Sequence, residues 1–244
     1  MRSPGGEVKR KEAKENYDEL RKLAQNMGAC LFGVADVNLI KDEFLLPSSV
    51  LKHLHRGICL AAPVSGEVLD DIHDRPTPLY YHHYRQLNFF LDRMALKVSL
   101  FLQRQGWRAL AIPASQIIDW QKQRGHLSHK KIAERAGLGG IGRNNLLINP
   151  KFGARIRLVS ILTNMPLWCD GPIKHDCGKC RRCISSCPAQ AIKESLEEFD
   201  HQGCFEQLRL FQKKGFAAQH ICGICVKACL GKRVDSGPRS VQLP

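Results

Sequence analysis

The chain has 244 residues, a formal net charge of +14 and 43% hydrophobic residues. That length suits one large domain, or one domain with a small appendage, and the apolar share supports a sizeable core and excludes a low-complexity or wholly disordered protein. The positive excess is spread along the chain, so RNA, an anionic cofactor or an acidic electron carrier are the partners it admits, and no run of eighteen apolar residues is present to cross a membrane as a helix.

In chain order, residues 7–27 predict an amphipathic helix, with Tyr17, Leu20, Leu23, Ala24 and Met27 at helical spacing and Gly28 at its end. Residues 29–36 and 56–64 read as buried strands, with Cys30 and Cys59 as core thiols. Residues 78–105 form the longest helical stretch, and its start concentrates Tyr80, Tyr81, His82, His83, Tyr84 and Asn88. Such rings either cover the core or wall a pocket for a planar ligand, for which Tyr81, Tyr84 and Asn88 are the candidates. Residues 107–115 and 154–163 are two further strands. Between them, His126 and His129 flank a short helix over 127–136, and at i, i+3 they would share one face. Gly137, Gly139, Gly140 and Gly142 follow, a density that lets backbone approach a ligand closely. Gly137, Gly139 and Gly142 fit G-x-G-x-x-G, but they follow a helix and precede a strand-like segment, so a dinucleotide fold is rejected. Helices are expected over 189–199 and 203–218, and residues 235–244 read as a disordered tail. Cys169 is expected to be a free thiol.

Eight of the eleven cysteines lie between Cys177 and Cys229. Cys177, Cys180, Cys183 and Cys187, with Pro188 directly after, spell C-x2-C-x2-C-x3-C-P, the bacterial ferredoxin spacing. Residues three apart on a tight loop turn their sulfurs into one small volume, whereas the fourth cysteine lies too far round to close the same cube. In two-cluster ferredoxins it ligates the other cluster. The expected sets are therefore Cys177, Cys180, Cys183 and Cys229 on one [4Fe–4S] cube, and Cys187, Cys204, Cys222 and Cys225 on the other. Structural zinc and disulfides are the rival uses of such cysteines. Disulfides need an oxidising compartment; no apolar leader region opens the sequence, so the expected location is the cytoplasm.

The segments AGLGGIGRNNLLINP (136–150), VSILTNMPL (159–167) and CGKCRRCISSCPAQAI (177–192), with a late CGIC (222–225), together resemble the epoxyqueuosine reductases, cobalamin-dependent iron–sulfur enzymes with cores related to reductive dehalogenases. The resemblance covers roughly residues 15–230 and is strongest over 132–188. It implies an α/β (α+β) fold, with a nitroreductase-like core over residues 1–165 and a ferredoxin-like module with two [4Fe–4S] clusters over 166–234. It also implies a cobalamin lined by Gly137, Gly139, Gly140, Gly142, Arg143, Asn144 and Asn145. The family's substrate is an epoxide on a tRNA nucleoside, so tRNA is an implied partner; its fuller members carry a helical-repeat extension that these 244 residues do not contain. Where the family has a D-T-x-P motif whose Asp is the proton donor, this chain has Gln123, Arg124, Gly125 and His126, with Asp119 the nearest acid. His126 and His129 are the candidates for the proton-donor role.

The expected function is an iron–sulfur oxidoreductase that passes single electrons through two clusters to a bound cobalamin, fed by a donor such as ferredoxin or flavodoxin. The alternative is an electron-transfer or reactivase protein that reduces a separate corrinoid protein and has no small substrate. A flavin enzyme on the same core ranks last, because no flavin-specific motif is present.

Overall fold

The computed structural model of the chain describes residues 4–174 and 177–231, so the expected disordered tail at 235–244 lies outside the described residues. In chain order the elements are α1 (Pro4–Asn26), β1 (Leu31–Asp36), α2 (Ser48–Leu51), β2 (Arg56–Pro63), α3 (Gly66–Asp70), α4 (Pro78–Arg104), β3 (Ala109–Ile112), α5 (His129–Arg135), β4 (Gly140–Ile141), β5 (Leu147–Ile148), β6 (Ile156–Thr163), α6 (Arg182–Ser186), α7 (His201–Lys213) and α8 (Ile224–Ala228). The mixed α/β class is as expected from the sequence. None of the described helices is long and apolar enough to cross a membrane.

The chain divides into two compact units, each assembled from separate stretches. The first takes residues up to Ala62, then Leu87–Leu138 and Arg157–Ile173; the second takes Pro63–Gln86, Gly139–Ile156 and the chain from Lys174 onward.

The first unit is organised on a four-stranded sheet of order β1-β2-β6-β3. β1 runs antiparallel to β2, from Leu31 opposite Ala61 to Asp36 opposite Arg56, and β3 runs antiparallel to β6, from Ala109 opposite Thr163 to Ile112 opposite Ser160. Ile58, Cys59, Leu60 and Ala61 of β2 are all fully buried, which is what an uninterrupted apolar run in a central strand requires. Burial pushes the Cys59 thiol up to about 12, as befits a core residue. Tyr17, Leu20 and Ala24 of α1 and Leu91, Met94, Val98 and Leu102 of α4 pack with Val34, Leu60, Val159 and Ile161 of the sheet in one core. The apolar stripes at helical spacing are thus the faces that α1 and α4 bury.

Helix α5 lies so close to β1 that a Cβ on Gly33 would stand 2.5 Å from the carbonyl oxygen of Ala136. Because that neighbour is backbone, the strand itself must move. Gly33→Ala should therefore destabilise the fold by about 1–3 kcal/mol, read as a lowered urea midpoint at unchanged m-value. An unchanged midpoint would show that α5 is free to shift.

Two expected helices are corrected here. No helix forms over 189–199: Gln190 takes a left-handed backbone (φ 50°), Ala191 and Ile192 are buried as a plug, and Asp200 N–H donates back to the Ala191 carbonyl. The helix expected over 203–218 starts two residues earlier and ends five earlier, as α7, because the Asp200 carboxylate caps it by accepting from Gly203 N–H at 2.9 Å.

Candidate metal centre

The second unit carries the eight clustered cysteines on short elements. Cys177 and Cys180 face one tight turn, closed by Cys180 N–H donating to the Cys177 carbonyl at 3.1 Å. Cys183 lies within α6, and Cys187 is its C-cap. Cys225 lies within α8, and Cys229 is its C-cap. Cys204 is on α7, and Cys222 directly precedes the glycine that opens α8. Helices α6 and α8 pack against each other.

The thiols perturb one another in two groups. Burial first, and then Cys229, Cys177 and Cys180, push Cys183 up to about 11. Burial is also the leading cause for Cys229, with Cys177 and Cys180 adding to it. In the other group, burial pushes Cys222 up to about 12, with Cys204 and Cys187 contributing. Cys204 is raised by burial and then by Cys187, and Cys225 is raised well above the usual thiol range by burial, then by Cys222, Cys204 and Cys187, with Cys183 the weakest contributor. The neighbourhoods are thus Cys177, Cys180, Cys183 and Cys229 on one side, and Cys187, Cys204, Cys222 and Cys225 on the other. Each helix sends its C-cap cysteine to the set dominated by the opposite helix.

Cys183 and Cys229 in one group, and Cys204, Cys222 and Cys225 in the other, are raised by burial, and such thiols become thiolates side by side only around a cationic core. That is the environment a [4Fe–4S] cluster supplies, and the donor set fits it in number and chemistry. Among the described residues, no three thiols, imidazoles or carboxylates converge tightly enough for a single ion. A cubane asks for less convergence, since each thiolate binds a different iron.

A network of backbone contacts holds the cysteine segments. Arg143 donates from Nη1 to the Cys180 carbonyl at 2.9 Å, from Nη2 to the Gly178 carbonyl at 2.9 Å, and from Nε to the Glu194 carbonyl. The planar fork suits three carbonyls, and a lysine could not reproduce it. Lys227 of α8 donates to the carbonyls of Asp70 and Ile72 at the end of α3, at 3.1 and 2.6 Å. Arg155 Nη2 donates to the Lys227 carbonyl at 2.6 Å. None of these long-range roles was signalled by the sequence, because the partners are peptide carbonyls that any residue supplies.

The glycine-rich segment also packs closely on the protein's own chain. A Cβ on Gly139 would fall 2.3 Å from the Ile148 carbonyl oxygen across the β4–β5 hairpin. One on Gly137 would fall 2.6 Å from the Gly171 carbonyl oxygen, and one on Gly142 would fall 2.6 Å from Ile148 and 3.2 Å from the Cys177 sulfur. The close approach is to the protein's own chain. Asn88 is also engaged, its Oδ1 accepting from Nε and Nη2 of Arg157 at 3.2 and 3.1 Å. Tyr81, half-buried, lies under the Arg85 guanidinium, and the Tyr84 ring is 6.3 Å from Tyr80. Asn145 closes the hairpin turn, donating to the Gly142 carbonyl at 2.8 Å, and Gly140 pairs with Ile148 in β4.

The two histidines do not share a helix face. Ser128 caps α5, so the helix begins at His129 and leaves His126 in the preceding loop, its Nδ1 3.4 Å from the Leu45 carbonyl. His129 Nε2 stands 2.9 Å from the Pro113 carbonyl and Nδ1 2.9 Å from Ser160 Oγ. A carbonyl only accepts, so Nε2 carries the proton and Nδ1 accepts from the serine hydroxyl. Burial, and after it the charge of Arg157, hold the ring neutral by lowering its pKa to about 4. The next residue, Lys130, was not singled out from sequence; burial and then Lys131 bring its ammonium down to about 8.

This fold is the one found in B12-dependent reductive dehalogenases and epoxyqueuosine reductases. A reductive dehalogenase structure, described as suggesting a mechanism for B12-dependent dehalogenation, superposes with a TM-score of 0.75 at 19% identity, over 92% of this chain and 32% of that one. The epoxyqueuosine reductase of Streptococcus thermophilus superposes with a TM-score of 0.62 at 20% identity, over 91% of this chain and 67% of that one. In sequence, the chain resembles the epoxyqueuosine reductases: that of Bacillus anthracis is 39% identical over 92 residues, 38% of this chain. The match spans about a quarter of that relative's length, 23%. No family model matches the chain.

Proposed function

We propose that the chain is an iron–sulfur oxidoreductase with two [4Fe–4S] clusters on a ferredoxin-like module, beside a nitroreductase-like core that takes a corrinoid. The observation that carries this reading is the grouping of eight thiols into two interleaved sets of four. When bound, the clusters supply single electrons and a corrinoid supplies the cobalt centre that uses them. Cys177, Cys180, Cys183 and Cys229 hold one cube, and Cys187, Cys204, Cys222 and Cys225 the other. Arg143 fixes the loop between the first two ligands.

The corrinoid enters through fold and sequence resemblance. Of the ten residues expected to line it, Asn88, Gly137, Gly139, Gly142 and Arg143 make close contacts within the protein. The proton-donor role stays with His126 or Lys130: His129 is neutral and bonded at both nitrogens, whereas Lys130 holds a proton up to about pH 8. An acidic donor such as a ferredoxin or flavodoxin is the electron source. Arg209 and Lys213, with Glu206 beside them, line an open hollow on α7, the helix that carries Cys204, and two cations against one carboxylate leave it a net positive charge towards such a donor. The substrate is an organic electrophile, with a tRNA nucleoside as the resemblance implies.

The engaged lining residues favour one second reading, an electron-transfer or reactivase protein that reduces a corrinoid held by a separate partner. Anaerobic reconstitution with iron and sulfide, followed by cobalamin titration and gel filtration, separates the two. About eight irons per chain with co-eluting cobalamin support the reductase. The same iron without cobalamin supports the second reading, and iron well below four per chain overturns both.

A further inference from the structure

Asn144 is 4% exposed, and its Nδ2 has no hydrogen-bond partner within the protein. A buried amide donor left unpaired costs about 1–3 kcal/mol, so its retention asks for an acceptor. The orientation of the amide is fixed, because Oδ1 accepts from Leu146 N–H at 3.3 Å and a flipped amide would set donor against donor. The residues before Asn144 dock on the first thiol loop. A Cβ on Gly142 would be 3.2 Å from the Cys177 sulfur, and Arg143 holds the carbonyls of Gly178 and Cys180. Asn144 and Asn145 complete the same turn, closed by Asn145 N–H on the Gly142 carbonyl.

We infer that the Asn144 side-chain amide donates a hydrogen bond to a sulfur of the cube held by Cys177, Cys180, Cys183 and Cys229, and so sets that cube's reduction potential above what its ligands alone would give. The inference rests on the two-cluster reading. Its physical basis is that adding an electron raises the negative charge on the cluster sulfurs, and an N–H dipole aimed at them stabilises the reduced form. The Cys177 sulfur, 3.2 Å from where a Cβ on Gly142 would stand, brings a sulfur acceptor to this same turn. Asn144 is here a tuning residue, not a ligand.

The test compares the reconstituted 244-residue chain with its Asn144→Leu variant, which keeps the side chain's size and removes the donor. Iron content is measured first, then EPR-monitored redox titration. Unchanged iron is expected, with the equilibrium constant for one-electron reduction of one cube lowered about tenfold, or 59 mV. The shift should persist in a Cys204→Ala background and vanish in a Cys177→Ala background. Equal potentials at full iron content overturn the inference, as does a shift that survives Cys177→Ala. A second measurement needs no substitution at Asn144. Wild-type protein carrying 15N only in asparagine side-chain amides should show 15N hyperfine coupling at the first cube, and its absence overturns the inference even where Asn144→Leu fails to fold. A wild-type chain that takes up no iron would overturn the two-cluster reading itself, an outcome distinct from iron-loaded protein with unmoved potentials.

Discussion

Replacing Cys229 with alanine should remove the same cube as replacing Cys183, although Cys229 lies only four residues beyond Cys225. After burial, the thiols that act on Cys183 are Cys229, Cys177 and Cys180, whereas Cys225 answers to Cys222, Cys204 and Cys187 ahead of Cys183. Each single variant is expected to retain about four of about eight irons. Cys183→Ala and Cys229→Ala should leave the same residual EPR spectrum, and Cys225→Ala and Cys204→Ala should leave the other. A linear arrangement, in which Cys222, Cys225 and Cys229 serve one cube as neighbours in sequence, predicts that Cys229→Ala resembles Cys225→Ala. That result would sink the crossed assignment and leave the total of two clusters untouched. Loss of all iron from every variant would instead mean that neither cube assembles alone.

The second large effect is on stability in acid. His129 has its pKa lowered from 6.5 to about 4, chiefly by burial. Between those two values the unfolded chain binds a proton that the folded chain refuses, so stability contributed by the neutral ring is present above pH 6.5 and is lost as pH falls towards 4. The loss is at most about 3 kcal/mol, reduced by whatever the solvent-facing edge of the ring screens. His55, His83 and His220 are also lowered, by burial first, and slope in the same direction. Subtracting the behaviour of a His129→Gln variant therefore isolates one ring. Urea midpoints measured from pH 7 to pH 4.5 should fall more steeply for the wild type than for His129→Gln, and parallel curves would show that the ring titrates normally. Ser160→Ala, which removes the hydroxyl that donates to Nδ1, should leave that buried nitrogen unpaired and lower stability at neutral pH.

How much of this was legible in the sequence depends on how local each determinant is. The run Ile58–Ala62 announces a strand buried on both faces, and the 3.6-residue stripe through Leu87, Leu91, Met94, Val98 and Leu102 announces α4, because both patterns are fixed by near neighbours. The two cysteine sets are an expectation of the same local kind, since C-x2-C-x2-C-x3-C-P limits which sulfurs can meet, and the iron counts above are its test. The histidine pair failed for a local reason that periodicity overlooks: the Ser128 hydroxyl offers a cap two residues past His126, and the helix starts there. The segment 189–199 has helical composition, but Pro188 and the left-handed Gln190 turn it into a plug carried by Ala191 and Ile192. The density of the glycines is what suggests close approach to a ligand, and Arg143 joins them through the resemblance alone. The contacts they make within the protein, with the carbonyls of Gly178 and Cys180 for the arginine and with Ile148 and Gly171 for the glycines, are tertiary, and no pattern within the segment names them.

The exchange of C-cap cysteines between α6 and α8 has a consequence for damage and repair. Each helix is five residues long, too short to persist by its own hydrogen bonds. Were each tied to a single cube, oxidation of that cube would let its helix unravel and carry its ligands away. On the two-cluster reading proposed above, the interleaved anchors would leave a helix that loses one cube still moored by its cysteine in the other. The surviving half would then act as a template, keeping orphaned thiols near their stations until iron and sulfide are resupplied.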